Sequence, residues 1–222
     1  MKNKIIYFNL GVLLCGAIFI ASCAKPPVVP PKPSAPPLTF HNIVVSGLCK
    51  VNLVAGSTNA VKSADGAMVQ TIINGTLFLS GAGVGEIEVI DVDTLVANGV
   101  TSINASTALN LDRVIIVGNG VSTMTLDINA DSIEFISNGV GPYTLKGNTQ
   151  KLHLHSNGAA LVSAYNLLSK NCITSILGIG ISEVYATEEL KAIIAGNGTI
   201  YYKGGAAVTK QLIAGVGKVL KK

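Results

Sequence analysis

From residue 95 onward the apolar and polar positions follow two periods at once. Over short stretches apolar residues alternate with polar ones, as in a strand with one face buried. Over longer stretches a five-residue phrase returns: an apolar residue, two more ending in a small one, a turn residue, then glycine. Its seven copies are Leu95–Gly99, Ile116–Gly120, Phe135–Gly139, Leu154–Gly158, Ile176–Gly180, Ile194–Gly198 and Ile213–Gly217. With the residue before each glycine as marker (98, 119, 138, 157, 179, 197 and 216), the steps are 21, 19, 19, 22, 18 and 19. A repeat near 20 residues with one recurring turn predicts a solenoid.

The register extends on both sides of the marker. Three positions before it stand Leu95, Ile116, Phe135, Leu154, Ile176, Ile194 and Ile213, which should form one inward row. Five positions after it stand Ile103, Met124, Tyr143, Val162, Val184 and Tyr202; seven after it stand Ala105, Leu126, Leu145, Ala164, Ala186 and Gly204. A coil of this size holds two or three strands of about 4–5 residues. Stacked coils then give an all-β, single-stranded parallel β-helix, each strand about 4.8 Å from the next. The corners fall at Asn98-Gly99, Asn119-Gly120, Asn138-Gly139, Asn157-Gly158, Gly180, Asn197-Gly198 and Gly217, because Asn and Gly tolerate positive φ. Asn98, Asn119, Asn138 and Asn157 are expected to stack as an amide ladder.

Residues 40–92 are less regular. Ile43–Gly47, Val51–Gly56, Thr71–Gly75 and Glu86–Ile90 are strand-like, most of them closed by glycine, and are expected to be the first, capping turns.

Before them the pattern changes completely. Lys2 and Lys4 precede an apolar run from Ile5 to Ala21, then Ile20-Ala21-Ser22-Cys23, the layout of a secretory signal over 1–22. The run is near the lower length for a membrane span. The cysteine decides between the two, since Ile20–Cys23 resembles the lipobox of bacterial lipoproteins. That resemblance implies diacylglycerol on Cys23 and cleavage before it, and Ala24 in place of Asp implies sorting to an outer membrane. Residues 24–37 carry seven of the eight prolines. With Cys23 they form a linker, 23–37, that favours extended polyproline II. The solenoid is expected over 38–222.

Charge alters the picture little. The chain has 16 basic and 12 acidic residues, and without Lys2 and Lys4 it is fourteen against twelve, net +2. Arg113 is the single arginine and there is no basic stripe interleaved with aromatics, which argues against nucleic acid. The charges are nevertheless segregated. Residues 86–134 hold eight acidic groups and one basic, whereas 146–222 hold nine lysines and three glutamates. Such an axial dipole steers head-to-tail contact or adhesion to an anionic surface. Cys49 and Cys172 sit far apart along the solenoid and are expected as two buried free thiols.

Candidate chemistry is sparse. His153 and His155 share one face of a strand but lack the spacing partners of a metal site, so they are expected outside, flanking an inward Leu154. His41 is isolated. No Gly-x-Ser-x-Gly elbow is present, and Gly-Asn-Gly at 118–120 and 196–198 lacks the helix and Lys-Ser/Thr of a phosphate loop. Asp91, Asp112 and Asp131 each precede a marker by seven residues and should stack on adjacent coils. Arg113 could offset their repulsion, or Ca²⁺ could bridge two coils; solvated turn carboxylates are the preferred reading. No cofactor and no catalytic residue are expected.

Three stretches resemble the head GIN domain family of putative auto-transporter adhesins: Phe40–Gly47, Val51–Gly56, and the closing Leu190–Gly204 followed by Ile213–Val219. Asn197 stands where that family usually has Ser, and Ala206 where Pro is common. The resemblance implies a secreted β-helix but carries no catalytic residue over. The expected function is a non-catalytic, lipid-anchored cell-envelope protein, an adhesive or structural surface module. Its partners would be the membrane, through Cys23, and a protein or polysaccharide surface ligand. Two alternatives stay open: a carbohydrate-active β-helix enzyme, and a periplasmic partner in envelope assembly. The absence of Trp and the low aromatic content, 5%, argue against sugar-stacking subsites.

Overall fold

The computed structural model describes residues 39–222, so the expected signal segment 1–22, Cys23 and the expected linker lie outside the described residues. Among the described residues there is no helix. The chain winds as a parallel β-solenoid of about seven turns, about 19 residues each. Its elements are longer than the expected 4–5 residues. β4 (Thr94–Ala105), β5 (Leu109–Gly118), β6 (Val121–Ser137), β7 (Val140–Ser156), β8 (Ala159–Ile176) and β9 (Ile179–Ile194) keep their ladder bonds while bending at corners. The corners show instead as lost alternation. In β7 the inward residues are Tyr143, Leu145, Thr149, Leu152, Leu154 and Ser156, with the rhythm broken between 145 and 152.

The N-terminal part departs from the expected order of turns. β1 (Asn42–Ala55) pairs in parallel with β3 (Thr76–Val89) on one side and β4 on the other. The first segment in sequence is therefore the second layer of the stack. β2 (Ala60–Ile73) folds back antiparallel onto β3 and forms the outer edge. Asn74 and Gly75, at φ 48° and 73°, join β2 to β3 in the two-residue turn that antiparallel strands need. A parallel stack cannot end its edge by itself, and the hairpin supplies a cap. Asn59 secures it. Its Oδ1 accepts from Ile90 N at 2.8 Å, and its Nδ2 donates to Asp91 O at 2.7 Å and to Phe40 O.

The other end closes with β10 (Asn197–Lys203), β11 (Ala207–Ile213) and β12 (Val216–Lys221), where β11 stacks on β9 and β12 on β10. Every residue of β11 is exposed. Lys210, Lys218, Lys221 and Lys222 stand along this unpaired edge, charges that discourage uncontrolled strand addition.

The core is a continuous column from Phe40 to Ile200. Leu95, Ile116, Phe135 and Leu154 stack in one inward row as expected, but the row continues to Thr174 and Ala192. Ile176 and Ile194 belong to the next inward row, above Ser137 and Ser156, and Ile213 extends it. Likewise Val162 is followed by Ser182 and Ile200, while Val184 and Tyr202 follow Ala164. The repeat thus slips by two residues between its fourth and fifth copies. A slip of two keeps side-chain parity, so Ile176 and Ile194 remain buried although the row is different.

Candidate functional site

The slip relocates the later corners. Asn157 is followed in the stack by Leu177, Ala195 and Ala214, whose amides donate to Ser156 O, Ile176 O and Ile194 O at 2.8–2.9 Å. Gly158 is continued by Gly178, Gly196 and Gly215. Gly180, Asn197, Gly198 and Gly217 are therefore not corner residues; they lie at or next to the first positions of β9, β10 and β12. The phrases Leu177-Gly-Ile-Gly, Ala195-Gly-Asn-Gly and Ala214-Gly-Val-Gly each contain two glycines two apart. Asn197-Gly198 imitates a corner in sequence; both glycines of each pair press on backbone of the coil below, and it is the inter-coil pairing that makes Gly178, Gly196 and Gly215 the successors of Gly158.

The expected amide ladder is present. Asn119 Nδ2 donates to Asn98 Oδ1 at 2.9 Å, Asn138 to Asn119 at 3.0 Å and Asn157 to Asn138 at 2.8 Å. A second ladder escaped the sequence reading: Asn129 donates to Asn110 and Asn148 to Asn129, both at 3.0 Å. Its signal was available, because 110, 129 and 148 are spaced by 19.

This second ladder lines a groove of about 590 Å³ along one corner of the solenoid. Asn110, Asp112, Asn129, Asp131, Asn148, Gln150 and Lys170 present polar groups to it from successive coils. Asp112 lies opposite Asp131, since Leu111 pairs with Ala130 and Arg113 with Ser132. Both are exposed. Asp91 is not in the groove; its Oδ2 stands 3.7 Å from His41 Nδ1. Arg113 turns to Glu134, Nη2 to Oε2 at 3.7 Å, and not to the aspartates. Among the described residues no three His, Cys, Asp or Glu side chains converge as a metal centre requires.

The groove floor is built on satisfied groups. Thr149 Oγ1 donates to Asp131 O at 3.3 Å or Lys151 O at 3.1 Å, and Ser169 Oγ donates to Tyr185 O. His153 and His155 face outward on either side of buried Leu154, and His155 Nδ1 meets Ser175 Oγ at 2.8 Å. Cys49 and Cys172 are buried free thiols on separate layers of the stack. Burial pushes the Cys172 thiol up to about 12 and raises that of Cys49.

The outer surface carries one further row. The residue after each corner glycine points out: Leu48, Val100, Val121, Val140, Ala159, Ile179, Asn197 and Val216, in unbroken register. Leu48, Val100, Val121, Val140, Ile179 and Val216 are each more than half exposed.

Over the described residues these features define a parallel β-solenoid without helices, with ladder-bearing outer faces. The family model described as "Putative auto-transporter adhesin, head GIN domain" matches residues 39–206, and the chain belongs to this family. Solved structures share the fold at low identity. A putative adhesin from Bacteroides fragilis NCTC 9343 is 22% identical with a TM-score of 0.76, over 83% of this chain and 93% of that one. A putative adhesin from Parabacteroides distasonis ATCC 8503 is 21% identical, TM-score 0.62, over the same shares. A protein from the same strain described as a putative lipid binding protein is 17% identical, TM-score 0.59, again over 83% and 93%. No curated protein matches the chain.

Proposed function

We propose that this protein is a non-catalytic module of the bacterial cell envelope, anchored through lipid on Cys23 at an outer membrane, that presents an adhesive or structural surface. Family membership and the continuous outward rows support this reading. The carrying observation is the groove at Asn110, Asn129 and Asn148. It offers amide, carboxylate and ammonium groups at the coil repeat of about 4.8 Å, a spacing suited to an extended polar polymer such as a surface polysaccharide. The linker 23–37 would hold the solenoid away from the lipid.

Two measurements test the reading. Cys23→Ser should abolish labelled-palmitate incorporation and normal processing; unchanged labelling refutes the anchor. Protease shaving of intact cells should release the solenoid from a surface-exposed module, whereas full protection would assign it to the periplasmic side as an assembly partner.

A second reading draws on the same groove, where Asp112 and Asp131 lie together with Lys170, an acid and base set that a carbohydrate-active enzyme could use. Fragmentation of envelope polysaccharide by the wild type, lost in Asp112→Asn and Asp131→Asn, would establish it in place of the adhesive function.

A further inference from the structure

We infer that the outer row beside the corner glycines is a self-association surface, on which a second copy of this chain docks antiparallel. The row has nine positions in register: Ala82, Leu48, Val100, Val121, Val140, Ala159, Ile179, Asn197 and Val216. All nine are exposed, and eight carry aliphatic chains of Val, Leu, Ile or Ala that no other described element covers. Leu161 and Ile181 widen the strip two residues further along their strands. At about 4.8 Å per coil the row is about 38 Å long. Half-buried Val96, Val117 and Ile136 follow on the neighbouring face, across the corner and beyond the asparagine ladder, and extend the apolar contact.

Charge chooses the occupant and its direction. The coils before Val140 are acidic on balance: Glu86, Glu88, Asp127 and Glu134 flank the row against Lys50 beside Leu48, although Glu88, Asp127 and Glu134 also pair with Lys62, Lys146 and Arg113. The coils after it are basic on balance, with Lys191, Lys203, Lys210, Lys218 and Lys222 against Glu183, which accepts from Ser163 Oγ. Two copies side by side in parallel would set acid against acid and lysine against lysine. In the antiparallel arrangement each acidic half meets a basic half, which lowers the energy at both ends. A two-fold axis then passes through Val140, the fifth of the nine positions. It sets Val121 against the partner's Ala159 and Val100 against the partner's Ile179. The contact is isologous and closed, so it yields a dimer and no filament.

Cysteine cross-linking of the full chain in its native envelope tests this. Every substituted position is exposed, so the fold is retained, and buried Cys49 and Cys172 stay unreactive; the wild type sets the background. Under mild oxidation Val140→Cys should give a covalent dimer, Val100→Cys and Ile179→Cys alone should not, and the Val100→Cys/Ile179→Cys double variant should. Adding Val121→Asp to Val140→Cys should cut the dimer yield at least tenfold, and raising salt from 50 mM to 1 M should cut it severalfold. Dimers from all three single variants would mean a parallel pair and overturn the proposal. So would a Val140→Cys yield no higher than the wild-type background, or cross-links that go to another envelope protein.

Discussion

The hydroxyl of Tyr143 occupies the space that a side chain on Gly118 would take: a Cβ built there would lie 2.8 Å from that oxygen. The two residues lie on neighbouring coils, with Ser122 Oγ 2.9 Å from the same hydroxyl and the Tyr143 ring edge-on to Phe135 at 5.0 Å. A missing side chain in one coil thus makes room for a buried polar group from the next. Gly118→Ala should cost about 1–3 kcal/mol by overpacking, and Tyr143→Phe about 1–3 kcal/mol because Ser122 loses its partner in the core. The double variant should be less damaging than the sum, with a coupling of at least about 0.5 kcal/mol in urea denaturation. Strict additivity would mean that the two sites do not share this space.

Two glycines separate backbone strain from backbone crowding. Gly75 sits at φ 73° with nothing near a would-be Cβ, so Gly75→Ala should cost about 1–2 kcal/mol from strain alone. Gly139 is not in the positive-φ region expected from its place after Asn138, yet a Cβ there would fall 2.0 Å from Gly120 O. Gly139→Ala should therefore cost about 3 kcal/mol or more. Gly120 carries both constraints, with φ 78° and Gly99 O at 2.6 Å, so Gly120→Val should be at least as severe. Equal, small effects at Gly75 and Gly139 in thermal unfolding would show that the coils do not stack this closely.

The inward and outward assignment around Leu154 is measurable. Leu154→Ala and Phe135→Ala remove fully buried side chains from a close-packed row and should cost about 2–5 kcal/mol each. His153→Ala touches a partly exposed position and should change stability by no more than about 0.5 kcal/mol. The reverse ranking would place the strand one residue out of register.

Acid should loosen the N-terminal cap. The hydrogen bond from Lys62 Nζ at 2.8 Å, with the amide of Ser57, lowers the Glu88 carboxyl to about 2. Its folded value lies below its unfolded value of about 4.3. The stabilisation is therefore present above that pH and is lost as pH falls toward about 2. Thermal melts from pH 6 to pH 2 should fall less steeply for Glu88→Gln than for the wild type; parallel curves would remove Glu88 from the acid transition.

The buried thiols give a probe of opening. With Cys172 raised to about 12 and fully buried, neither it nor Cys49 should be alkylated at pH 8 until denaturant unfolds the solenoid. Rapid labelling of Cys172 under native conditions would mean that β8 is open to solvent.

The fold was legible because each coil must solve the same problem. Every turn of about 19 residues must present apolar side chains inward and a small or permissive residue at its corner, and Leu95–Gly99 through Leu154–Gly158 repeat that solution openly. The Asn98–Asn157 ladder follows from the period alone, because equal spacing places equal side chains in contact. Burial at Ile176 and Ile194 was also legible, since alternation determines face irrespective of row.

What the sequence left open is pairing between segments whose local patterns agree equally well with two answers. In Gly178-Ile-Gly180, Gly196-Asn-Gly198 and Gly215-Val-Gly217 either glycine could be the corner, since both press on backbone in the coil below, and only the pairing of Leu177, Ala195 and Ala214 with the preceding coil chooses the first. The layer order β2-β3-β1-β4 was equally hidden, because strand propensity says which segments are extended but not which edges meet. The groove at Asn110, Asp112, Asn129 and Asp131 and the nine-position outer row arise from that stacking. The sequence by itself determined the coil and its inward residues; the tertiary structure decided which coils touch, because hydrogen bonding between distant segments depends on backbone approach that no local pattern encodes.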